Sequence, residues 1–343
     1  MKAIVYEGPG RLLVKEVPEP QVGPSDVLIR VRAAGICGSD LEMARGNRPS
    51  VVPPRIPGHE IAGDIVETGD LTGKHSVGDR VVVEPILSCG ECRNCTVGRY
   101  NVCMNLRFLG VHTDGAFAEL LAAPESRVYK IPDRFTYDEA TVLEPTAVGV
   151  HIVERAKVSL GDAVVIIGAG PIGLQIAQVA RSTGAGHIII ADILDYRLDL
   201  AKRLAADLVV NSAKEDLLQR VDQATDGEGA DVVIEAVGKS ETILKTMDLV
   251  RVGGRILVAG LSAERFVTDP PTFWLRQLLK EVTVETSRSY AAGNWNTAIK
   301  LASRGTINCR ALVTHKFPLD DALRAYEVAD RKLEKSIKVL FAP

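Results

Sequence analysis

The apolar run Ala-Val-Val-Ile-Ile at 163–167 stops at Gly168-Ala169-Gly170-Pro171-Ile172-Gly173, and a second apolar stretch follows at once. A strand that enters a glycine turn and leaves it as a helix has few folds open to it. Gly168 permits the tight turn, Gly170 lets backbone approach a ligand's phosphates, and Gly173 lets helix pack close on strand. Pro171 and Ile172 open the helix, whose free N–H groups and positive end attract a pyrophosphate. Asp192 ends the next strand candidate, where its carboxylate accepts hydrogen bonds from ribose hydroxyls. Its charge repels a 2′-phosphate, so NAD is expected over NADP. Asp195 adds to that charge, and Arg197 is placed along the adenosine. The competing reading of Asp192 is a helix cap.

Six strand candidates follow one another from residue 163: AVVIIG, HIIIAD, DLVVN, DVVIEAVG, RILVAG and EVTVET. Helical patterns such as DYRLDLAKRLA and SETILKTMDLVRVGG separate the earlier ones, which predicts an α/β fold with a doubly wound parallel sheet over 149–287. Upstream, short apolar alternations broken by glycine and proline predict a β-rich domain. The tail from 288 is helical, ends in SIKVLF, and is expected to rejoin that domain, giving 1–148 and 288–343. A length of 343 residues suits two domains. The stretch AVVIIGAGPIGLQIAQVA is apolar enough to raise a membrane span, but its glycines, proline and glutamines favour a buried strand–turn–helix. A net charge of -3 excludes the basic face of a nucleic-acid binder. The opening MKAIVYEGPGRLL lacks an export pattern, so a cytoplasmic location is expected.

A reducing compartment disfavours disulfides, yet Cys89, Cys92, Cys95 and Cys103 stand in fifteen residues as C-x2-C-x2-C-x7-C. Two-residue gaps let thiolates converge on one tetrahedral zinc at about 2.3 Å, with an iron–sulfur cluster as the rival. Four thiolates leave no open position, so this lobe, at about 86–106, is expected to be structural. A second set is Cys37 in GICGSD, His59 and Glu60 in PGHEIAG, and Glu144 in VLEPTAVGVH. Thiolate, imidazole and carboxylate make a zinc site with an open position. Singly, each also reads as a buried thiol, a core histidine or a capping acid.

GICGSD, GHE, the cysteine lobe, LEP, GAGPIG and LVTHKFPLDDALRAYE, in that order, resemble the zinc-containing medium-chain dehydrogenase/reductase superfamily and, within it, the polyol (sorbitol-like) dehydrogenases. The resemblance spans essentially the whole chain. It implies a GroES-like catalytic domain, closed by the C-terminal segment, with a Rossmann domain. It also implies NAD and two zinc ions per subunit, one structural on the cysteine lobe and one catalytic at Cys37, His59, Glu60 and Glu144. Whether Glu60 or Glu144 is the direct ligand stays open. Ser39 resembles the hydroxyl that receives the alcohol proton. Relatives commonly carry histidine at the outer end of that relay; here it is Glu42, either a relay carboxylate or a plain surface acid. His112 and Arg288 lie where relatives present groups to substrate. A polyol, sugar or sugar acid is the expected substrate; the alternatives are a threonine-type amino alcohol and an epimerase-like enzyme that retains NAD. The strand EVTVET is expected to pair with its twin in a homodimer or homotetramer.

Overall fold

In the computed structural model, which describes residues 1–261 and 270–343, six parallel strands form one sheet. In chain order they are Ala163–Ile167, His187–Asp192, Leu208–Asn211, Ala230–Glu235, Val250–Val258 and Thr283–Thr286; side by side they run 3-2-1-4-5-6. Val164, Val165, Ile166, Ile188, Ile189, Ile190, Val232, Val233 and Ile234 are all fully buried. Such unbroken apolar runs, rather than alternation, are what a parallel sheet covered on both faces demands. The strand order reverses beside the first strand, where Ile167 has Ala191 on one side and Glu235 on the other. That switch point is where sheets of this kind receive ligands, and the glycine turn leaves the sheet there. The fifth strand begins earlier than its sequence suggests. The helical pattern read through Gly254 ends at Leu249, and β-branched Val250 pairs with Ala230 instead. Among the described residues no helix is long and apolar enough to cross a membrane. Gln175 and Gln178 are instead buried in the helix Pro171–Ser182, bonded to each other at 3.1 Å.

This sheet belongs to a unit of Pro145–Tyr290 and Arg304–Asn308; the other unit is Met1–Glu144, Ala291–Ser303 and Cys309–Pro343. The division after Glu144 falls inside the continuous helix Leu143–Arg155, so composition leaves no mark there. The first unit is built on a seven-stranded sheet in the order Val313–Phe317, Lys338–Phe341, Asp26–Gly35, Glu60–Thr68, Arg80–Val83, Val128–Lys130, with Leu120–Pro124 also on Asp26–Gly35. Only the first pair is parallel. Its core gathers Phe117 edge-on to Phe341, with ring centroids 4.8 Å apart, and Tyr326 beside both.

Candidate active site

The pairing of Asp26–Gly35 with Glu60–Thr68 builds the first site. Gly35 lies opposite Glu60 in the register, so Cys37, two residues beyond one strand end, meets His59 and Glu60 at the other. One ligand atom from each of Cys37, His59 and Glu60 falls within 4.8 Å of the others, a spacing that suits a single ion. A side chain on Gly35 would put its Cβ 2.0 Å from Glu60 Oε2, so glycine keeps that carboxylate's place open. Cys37 caps the helix Gly38–Ala44, and its N–H donates to Asp40 Oδ2 at 2.9 Å. Asp40, buried, also sets its other oxygen 3.5 Å from His59 Nδ1, while Phe108 meets the imidazole edge-on at 5.4 Å. Burial opposes charge on His59, but Asp40 and Cys37 outweigh it and lift its pKa well above the ordinary value. A cation bound there displaces that proton, so metal uptake releases acid. Glu144 is buried at the start of its helix and lies outside the three-residue set.

Sequence reasoning passed over two further residues. Asp40 closes the GICGSD stretch, where an aspartate reads as an ordinary turn acid. Lys338, in the closing strand, is 2% exposed and donates from Nζ to Glu60 Oε1 at 2.6 Å and to the Ile36 carbonyl at 3.2 Å. Burial disfavours its charge, but Glu60, Cys37 and Glu144 around it raise its pKa all the same. Ser39 sits half-buried in the first turn after Cys37. Glu42 gives one carboxylate oxygen to Arg45 and the other to Asn47 at 2.8 Å, and Arg45 also holds Asp330. Glu42 is thus held by the end of its own helix and the turn after it, and Arg45 carries the link to Asp330. His112 is half-buried in the loop after Arg107–Phe108, and Arg288 is exposed just past the last strand of the parallel sheet.

The four lobe sulfurs stand 3.4–3.9 Å apart along the Cys89–Cys95, Cys92–Cys95, Cys92–Cys103 and Cys103–Cys89 edges, with no disulfide. Corners of a tetrahedron about 2.3 Å from one zinc lie about 3.8 Å apart, so the set fits a single ion. Backbone N–H groups of Cys89 and Asn105 donate to the Cys103 sulfur and that of Cys92 to the Cys89 sulfur, which favours thiolates. Donors near Cys92 bring its thiol down to about 6, while burial holds Cys95 up to about 11. The lobe's helix Arg93–Thr96 buries nothing, so apolar packing does not hold it.

Beneath the lobe, Glu84 is fully buried; it accepts from Tyr129 Oη at 2.9 Å and Arg127 Nη1 at 3.3 Å. Arg127 in turn donates to Ser88 at 2.6 Å and covers the Tyr100 ring, tying both ends of the lobe to the sheet. Burial raises the Glu84 pKa above 4.5 despite Arg127. A carboxyl raised on folding stabilises fully below its unfolded value and loses that contribution as pH rises through the folded one. Stability should therefore fall from pH 4.5 toward neutrality, and Glu84→Gln should flatten that fall, read by urea unfolding at several pH values.

At the glycine turn, Gly168 has φ +106°, Gly170 caps the helix and Pro171 is its first residue. A Cβ on Gly173 would lie 1.8 Å from the Gly168 carbonyl oxygen, so no other residue permits that approach. Asp192 Oδ2 accepts from Ala169 N–H at 2.8 Å and Oδ1 from Ile193 and Leu194 N–H at 2.8 and 3.0 Å. The carboxylate thus pins the turn to the second strand, and Oδ2, which has a single donor, keeps a lone pair for a ribose hydroxyl. The residues present fit a dinucleotide. Arg197 reaches Gly170, its Nη1 3.8 Å from where a Cβ would stand. Asp195 is paired with Lys214 at 2.7 Å and Asn211 at 2.6 Å, so part of the charge expected from it is neutralised.

Residues 23–133 match the family model described as alcohol dehydrogenase GroES-like domain, and residues 171–304 match zinc-binding dehydrogenase. Sorbitol dehydrogenase of Bacillus subtilis is 33% identical, covering 100% of this chain and 97% of its own. L-Threonine 3-dehydrogenase of Saccharopolyspora erythraea is 36% identical over 96% of each chain. Two solved structures superpose with TM-scores of 0.92 over 100% of this chain and 99% of theirs. One is an Escherichia coli alcohol dehydrogenase complexed with NADH, 32% identical, and the other a Sinorhizobium meliloti zinc-binding dehydrogenase bound to NADP, 31% identical.

Proposed function

The chain belongs to the zinc-binding, GroES-like alcohol dehydrogenases, and from that premise we propose that it oxidises a secondary hydroxyl of a polyol, sugar or sugar acid to the ketone with NAD. The observation that carries the reading is the metal set itself. Cys37, His59 and Glu60 offer one thiolate, one imidazole and one carboxylate within 4.8 Å of one another, a set that would hold one ion and keep a position for the substrate hydroxyl. Zinc, when bound, polarises the hydroxyl as a Lewis acid, and bound NAD accepts the hydride. The rest falls to the chain's own groups. Cys37 and His59 hold the ion, and Asp40 orients the imidazole. Ser39 takes the hydroxyl proton, and His112 and Arg288 hydrogen-bond the neighbouring hydroxyls. With Glu42 engaged by Arg45 and Asn47, the proton leaves through Glu60 or Glu144.

The reading includes a second, structural zinc on the cysteine lobe and a preference for NAD set by Asp192. Asp192→Ser should shift the NAD-to-NADP ratio of kcat/KM toward NADP by about 10²-fold, since like charges in contact cost several kcal/mol. An unchanged ratio would remove Asp192 as the selector. The L-threonine relative favours one rival, an amino-alcohol substrate on the same metal set. We also propose a dimer or tetramer through Thr283–Thr286, the last strand of the sheet order, whose two end residues are exposed. Sedimentation of the purified protein checks this, with a monomer as the contrary result.

A further inference from the structure

Lys338 has no place in the chemistry above, yet it is the one lysine among the described residues that is buried almost completely. The pairing that buries it is long-range. Ile36 N–H donates to the Val339 carbonyl at 2.9 Å, and Leu340 and Phe341 lie opposite Gly35 and Ala34, so the closing strand runs beside the strand that ends at Cys37. Lys338 Nζ then reaches back to Glu60 Oε1, and Glu60 Oε2 has no hydrogen-bond partner among the described residues. A buried carboxylate with one oxygen held and the other unpaired is costly unless something takes the second oxygen.

We propose that Lys338 is a positioning residue that holds Glu60 by one oxygen and so limits how firmly the other engages the metal at Cys37 and His59. A free Glu60 closes the coordination sphere and competes with the substrate hydroxyl; a tethered Glu60 yields to it. Gly35 serves the same end by leaving space for the second oxygen, since a Cβ there would sit 2.0 Å from it. The inference rests on the metal-site reading of the preceding section and adds to it what sets the openness of that site.

Cobalt(II) replaces zinc in the holoenzyme as the probe, because its visible spectrum reports the number and kind of ligands. A wild-type protein that takes up cobalt only at the cysteine lobe would defeat the metal-site reading itself, separately from the role of Lys338. With both sites loaded, Lys338→Met should change the band of the Cys37 site and raise KM for the alcohol by about 10- to 100-fold, the range for groups that orient a ligand. Lys338→Arg, which keeps the charge, should restore most of both. An unchanged spectrum and KM in Lys338→Met would overturn the proposal. Lys338→Met leaves Glu60 without its cation, so a second comparison guards against misfolding: Glu60→Gln against Glu60→Gln/Lys338→Met. A lysine that acts only through Glu60 leaves those two spectra alike, and a difference between them would overturn the assignment.

Discussion

Cys37→Ser should lower kcat/KM by at least about 10³-fold, because losing the metal removes more than about 4 kcal/mol of stabilisation at the reacting hydroxyl. The same change should cut zinc content from two ions per chain to one and leave NAD affinity unchanged. Those three results together separate a lost catalytic metal from a misfolded protein. The lobe supplies the internal standard, since its four sulfurs lie elsewhere in the sequence and fit an ion of their own. The glycine turn supplies the second, since it is built by Gly168, Gly173 and Asp192 within the other unit. Loss of both zinc ions at once would mean that the Cys37 substitution acts by unfolding.

Cys103→Ala should do the reverse, removing the lobe ion and destabilising the fold by several kcal/mol while the Cys37 site keeps its own. The physical reason is the poverty of the lobe as a packed object. Its short helix buries no residue, and its turns are mostly exposed, so metal coordination stands in for an apolar core. Polar support comes from two segments: Tyr100 Oη donates to the Ala291 carbonyl at 3.2 Å and Ala292 N–H donates to the Gly98 carbonyl, while Arg127 holds Ser88. Differential scanning calorimetry with zinc analysis checks it. A variant that has lost the lobe ion and still unfolds as the wild type does would show that the lobe needs no metal, and one that keeps both ions would show that Cys103 is not needed to hold it.

The parts of the molecule that were legible in the sequence are those fixed by neighbours along the chain. The Cys89–Cys103 spacing and the Gly168–Gly173 turn are local devices, and the strands Ala163–Ile167, His187–Asp192 and Ala230–Glu235 announce themselves by near-continuous apolar runs. The Cys37, His59 and Glu60 set is different in kind. Its members come together only through the Gly35–Glu60 register, which spacing does not state and family resemblance had to supply. Lys338 was illegible for a further reason. In SIKVLF a lysine reads as the outward face of a strand, and its partner Glu60 lies 278 residues away. The end of the helix at Leu249 was missed because Leu-Val-Arg-Val fits a helix face as well as a strand, and the choice is made by pairing with Ala230. For Glu42 the sequence is compatible with relay and with surface acid alike, because Arg45 and Asn47, both within five residues, carry no signal that they engage it.

The central claim is tested most directly by NADH formation from purified, zinc-replete protein. The panel is pentitols, hexitols, inositols, aldoses, sugar acids, polyol phosphates, L-threonine and simple alcohols, each offered with NAD and with NADP. The account predicts turnover of a polyol, sugar or sugar acid with NAD, and none in Cys37→Ser. Turnover of L-threonine alone would keep the chemistry and overturn the substrate class. Silence across the panel, with zinc and NAD bound, would contradict the dehydrogenase reading of the site and point to an enzyme that retains its cofactor.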